Sequence, residues 1–143
     1  MKTIESEISN HILKTKKKDL GTIFFFNHMA IIEFNEGAHI DINNSNVFFD
    51  EFKSYFGESR PFGVVTNRIN SYSVKLMDID LFRNKAKNLC AYGVVGHNLA
   101  SKMNAKIESD FCISDDKIDY DTLYEAMDSV YSKVKQKLIT TLN

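Results

Sequence analysis

Seven of the eight side chains from Thr66 to Ser73 can form hydrogen bonds, and they follow directly on an apolar run. The stretch reads RPFGVVTNRINSYSVK, from Arg60 to Lys75, and opens on the only proline of the chain. Arg68 stands out within it, being one of three arginines among eighteen basic residues. A guanidinium fork grips a carboxylate or phosphate at two points, which a lysine ammonium cannot do. Asn67, Asn70 and Ser71 suit turns and caps as well as ligand contacts. Tyr72 reads as a half-buried ring covering the strand ends. The purely structural alternative is that Arg68 pairs with Glu36 or Asp41 and pins neighbouring loops together.

Two histidines, His39 and His97, lie at loop ends and complete the candidate set. With Glu36 or Asp41 they would make two imidazoles and a carboxylate, but no HxH or HExxH spacing supports a metal site. Ser71 and Ser73 lack the glycine-flanked elbow of a nucleophile. Cys90 sits in an apolar run and reads as a small core residue. There is no P-loop or dinucleotide fingerprint. The expectation is therefore a non-enzyme without metal or cofactor. His11 and His28 read as solvent-facing.

The elements that position these groups follow from periodicity. TIFFFN (Thr22 to Asn27) and AIIEFN (Ala30 to Asn35) are aromatic and β-branched, and their short connection predicts an antiparallel hairpin. In the second strand, Ile31, Glu33 and Asn35 share a face that alternation marks as only partly covered. Asp41 or Asn43 is placed to cap a helix reaching Phe56, with Gly57 as its stop. FGVVTN is the next strand. A helix over 77–87 follows, with Asp78 as its cap. NLCAYGVVG is a strand apolar on both faces, where Gly93 marks a close approach. A helix over 98–109, a short FCIS strand containing Cys112, and a helix over 121–142 complete the chain. The order is β-β-α-β-α-β-α-β-α, an α/β fold with a mostly parallel sheet and one antiparallel hairpin strand. Residues 1–20 form an N-terminal extension or edge strand, and 21–143 a single domain.

At 143 residues, one domain with a sizeable core is expected. A net charge of −1 gives no electrostatic case for nucleic acid. The run Lys14, Lys16, Lys17, Lys18 reads as an edge strand kept soluble by charge. Two cysteines without CxxC spacing fit a reduced, cytoplasmic setting. The first residues carry acids early and do not read as a signal peptide, and no apolar run approaches the ~20 residues of a membrane helix. If the helices cover only one sheet face, the other needs the N-terminal segment or a second copy; a homodimer is the preferred assembly.

The pieces EFNEGAHID, RPFGVVTNRINSYSVK and NLCAYGVVGHN, in this order of elements, resemble the small bacterial STAS and CRAL-TRIO-like domains, relatives of the anti-sigma-factor antagonists. The resemblance runs from about Gly21 to the final helix. It implies a compact STAS-like sheet without catalysis that binds a partner protein, and a switch serine at the start of the second helix. That serine would fall within Ser71 to Ser73, where this chain lacks the glycine of the family pattern. The reading is a binding module acting on a protein partner through the carboxyl ends of the strands. Its alternative is a binder of a small anionic or amphipathic ligand at Arg68, Asn67, Tyr72 and His39.

Overall fold

The computed structural model of the chain describes residues 1–99, 103 and 119–142. The expected 98–109 helix and the FCIS strand with Cys112 fall mostly or wholly outside these residues. Among these residues a six-stranded sheet forms the middle layer, in the order β1 (Lys14–Lys18), β2 (Gly21–Phe25), β3 (Met29–Phe34), β5 (Phe62–Arg68), β7 (Leu89–Gly96), β8 (Asp119–Tyr120). β1, β2 and β3 form an antiparallel meander, in which Phe25 faces Ala30 and Gly21 faces Phe34 across the hairpin. From β3 onward the neighbours are parallel, with Arg68 beside Gly96 at the far end of β5 and β7. The fold is thus α/β with a mixed, mostly parallel sheet. The lysine run is its outer strand, as the charge pattern indicated, and Lys18 reaches Glu51 at 2.8 Å.

Among the described residues, two helices cover one face: α1 (Asn46–Phe56) and α2 (Ile79–Lys85), the latter entered through a short 3-10 turn over Leu76–Asp78. α1 turns Phe48, Phe52 and Phe56 inward at spacing four, onto Phe25, Ile32, Val64 and Phe62. The rings mesh: Phe56 stacks on Phe62 at 4.6 Å between centroids, and Phe25 meets Phe52 edge-on at 6.3 Å. Each such ring contributes about 1.5–3 kcal/mol on leaving water. Gly57 ends α1 with φ +87°, its N–H bonded to the Lys53 carbonyl.

The long α3 (Leu123–Leu142) lies on the opposite face, burying Leu123, Ala126, Val130 and Val134 against Ile31, Val65 and Val95. A methyl group added to Gly63 would sit 2.3 Å from Val130 Cγ1, and one on Gly93 3.2 Å from Val130 Cγ2. Both strand glycines therefore admit α3 close to the sheet, as expected for Gly93. Ile8 and Ile12, from the N-terminal 3-10 turns, extend this cover. The face that a second copy was invoked to cover is covered by the chain itself. Among the described residues, no helix is long and apolar enough to cross a membrane.

Two capping expectations change. Ser45 precedes α1 without a side-chain cap bond, its Oγ donating to the Ile42 carbonyl at 3.2 Å, while Asp41 Oδ1 accepts the Asn43 and Asn44 amides in the preceding turn. Asp78 precedes α2, but its carboxylate accepts the Ile42 amide at 2.9 Å and so ties two loops together.

Candidate functional site

The parallel strands deliver three connections to one edge. Gly37 N–H donates to the Ser71 carbonyl at 2.6 Å, and Ser71 N–H donates to Glu36 Oε2 at 2.7 Å. The two-residue strands β4 (His39–Ile40) and β6 (Ser73–Val74) pair in parallel and clasp the first two loops. His39 Nδ1 and Ser73 Oγ are 2.6 Å apart. The third loop joins through His97, whose Nε2 meets Asn67 Oδ1. Asn67, Arg68, Asn70, Ser71, Tyr72, His39 and His97 thus share one rim, as parallel strands require.

Their orientations differ from expectation. Arg68 is 2% exposed and does not face outward. Its guanidinium lies under Tyr72, 3.7 Å from the ring centre, and Nη2 donates to the Tyr72 carbonyl at 2.9 Å. Tyr72 is buried rather than half-buried, tilted against Phe34 at 4.8 Å. Asn70 donates to the Phe34 carbonyl at 3.0 Å and closes the turn. Neither Ser71 nor Ser73 starts a helix: both precede or lie in β6, and the next helical residue is Leu76. A phosphate on Ser71 would also stand beside Glu36, the wrong charge for it.

Beneath the rim lies a buried polar brace. Glu33 Oε2 accepts Thr3 N–H at 2.7 Å, Thr3 Oγ1–H at 2.6 Å and Asn67 Nδ2–H at 2.9 Å. Asn67, fully buried, also donates to the Met1 carbonyl at 2.9 Å. The Met1 amino group contacts His97 Nδ1 at 3.2 Å. An ammonium only donates, so Nδ1 accepts, and the His97 proton sits on Nε2 and is given to Asn67. An amide stands between the Glu33 carboxylate and the His97 imidazole. It can orient both but cannot pass a proton between them. The arrangement fastens the N-terminal segment to the ends of β3, β5 and β7.

Sequence reasoning missed Glu33 and Thr3. Alternation put Glu33 on a partly covered face, yet it is 8% exposed. The available signal was a carboxylate in the middle of AIIEF, a run otherwise able to be buried on both faces. His28 was also misread. It is partly buried, bonded to Arg60 at 2.8 Å and stacked on Tyr131. Among the described residues, no group of three or more His, Cys, Asp or Glu side chains is arranged to hold a metal ion. No protein-family model, curated protein or solved structure matches the chain.

Proposed function

We propose that this chain is a non-catalytic, STAS-like binding module whose working surface is the corner of the carboxyl edge around His97, and that its partner is a protein. The observation that carries this reading is the exposure of large apolar side chains around a hydrogen-bonded corner. Met1 is 63% exposed, Ile4 61% and Leu99 76%. Met1 contacts His97, Ile4 follows the buried Thr3 anchor, and Leu99 is two residues beyond His97. Apolar groups held on a braced frame, with polar side chains beside them, suit a protein interface.

Strand order points the same way. Among the described residues the parallel strands follow β3-β5-β7-β8 without reversal. A ligand crevice in an open α/β sheet arises where the order reverses. The rival reading, an anion gripped by Arg68, needs a guanidinium that now stacks beneath Tyr72.

The test compares the full chain with an Ile4→Asp/Leu99→Asp variant by affinity capture from extract of the source cell, quantified by mass spectrometry. The reading expects one protein held by the wild-type chain and lost by a variant with an unchanged unfolding midpoint. The same capture profile from both chains overturns it.

A further inference from the structure

The two flanks of α3 differ in character. Ser129, Lys133, Gln136 and Thr140 make one of them polar. The other carries Tyr124, Asp128, Tyr131, Lys135 and Ile139, at spacings of four, three, four and four. Such spacing keeps them on one stripe, about 22 Å long. Among the described residues, Tyr124, Tyr131 and Ile139 are the large apolar side chains that α3 leaves exposed, and all three fall on this flank. An open groove runs beside it, lined on its other sides by Ile8, Leu13, Phe26 and Met29. Leu13 is exposed as well.

The order along the stripe is self-complementary. Tyr124 and Ile139 are centred on the point between Tyr131 and Ser132, and so are Asp128 and Lys135. A second α3 laid antiparallel along the stripe, with a twofold axis at that point, sets Asp128 against the partner's Lys135 and Tyr124 against the partner's Ile139, each pair twice. A parallel arrangement would set each charge against its like. Among the described residues, neither Asp128 nor Lys135 has an ion-pair partner in its own chain. Tyr131, beside the axis, is held in place beforehand. Its ring stacks on His28 at 5.8 Å, and Lys135 Nζ lies 4.9 Å from its centre, yet 37% of the residue stays exposed. A side chain already held loses little freedom on association.

We propose that two copies of the chain join through this flank of α3, as an antiparallel helix pair with twofold symmetry. The unpaired charges set register and direction, and Tyr124, Tyr131 and Ile139 supply the apolar contact. The expected homodimer then rests on a helix flank and not on an uncovered sheet face. None of Met1, Ile4, His97 and Leu99 belongs to this flank, so the dimer and the partner surface around His97 are independent.

Sedimentation equilibrium of the full chain from about 1 to 100 μM tests the assignment. The mass of two chains is expected at the upper end. Asp128→Lys alone and Lys135→Asp alone each make both charge pairs repulsive, and each should weaken self-association about tenfold or more. Mixed in equal amounts, the two variants should form a one-to-one heterodimer, because each then meets only opposite charges. Ile139→Asp should also weaken the dimer, and Thr140→Asp, on the polar flank, should leave it unchanged. If a charge reversal fails to fold, the Ile139 and Thr140 variants decide. A single-chain mass throughout, a dimer indifferent to both reversals, a mixture that stays apart, or equal effects of Ile139→Asp and Thr140→Asp overturns the proposal.

Discussion

Arg68 holds Tyr72 twice: its guanidinium lies 3.7 Å from the ring centre, and its Nη2 donates to the carbonyl of the same residue at 2.9 Å. The polar segment after β5 therefore folds back over the strand end and is not splayed outward. Arg68→Ala removes the stack and strands a buried carbonyl, and should lower stability by about 2–3 kcal/mol in urea unfolding. Arg68→Lys should recover little, because an ammonium has no plane to stack. An unchanged midpoint for Arg68→Ala would contradict this role.

Glu33→Ala should release the N-terminal segment without unfolding the sheet. Thr3 N–H and Asn67 Nδ2–H would lose their shared acceptor. Hydrogen exchange at the Thr3 amide should rise by about tenfold or more, while amides in the middle of β5 keep their protection.

Gly63→Ala should destabilise by about 2 kcal/mol or more, because its methyl group meets Val130 Cγ1 at 2.3 Å. Gly93→Ala, with its nearest neighbour at 3.2 Å, should cost less. Adding Val130→Ala should restore part of the Gly63→Ala loss, and the coupling is readable in a double-mutant cycle. Strict additivity would show that the two sites do not touch.

His28 should titrate below its ordinary value of 6.5, first because it is partly buried, then because Arg60 and Lys135 repel its cation. The unfolded chain then binds a proton at a pH where the folded chain does not. Stability contributed by this residue is fully present above about 6.5 and declines as pH falls toward the lower folded value. NMR titration of the ring protons reads the midpoint directly. Arg60→Gln should raise it part of the way back, since burial remains.

The Cys90 thiol is pushed up by burial, so less of it is thiolate at neutral pH. Alkylation by iodoacetamide at that residue should be slower than for an unfolded control. Equal rates would place the sulfur in water.

Periodicity made the hairpin, α1, β5, β7 and the last helix legible, because each has a run of apolar residues at period two or about four. The meeting of the Gly37, Arg68 and His97 loops also followed from sequence, since parallel strands end at one rim. The direction each side chain takes there did not follow. Arg68 faces inward because Tyr72 and its carbonyl supply a stack and an acceptor, a fact set by the turn at Ile69 and Asn70. Glu33 was misjudged because its partner Thr3 is thirty residues away. Val47 illustrates a smaller miss: it belongs to the apolar count of α1, yet is 44% exposed, since the Phe48–Phe52–Phe56 line already fills the contact.

The outermost strand β1 bears four lysines in five residues, and among the described residues nothing pairs with its outer side. At physiological ionic strength their mutual repulsion reaches about 8 Å, but near 1 M salt only about 3 Å. Concentrated salt should therefore weaken the guard on this flank against edge-to-edge pairing with a second chain. Acetylating the same amines should have a like effect, since it removes the charge from this one short ribbon.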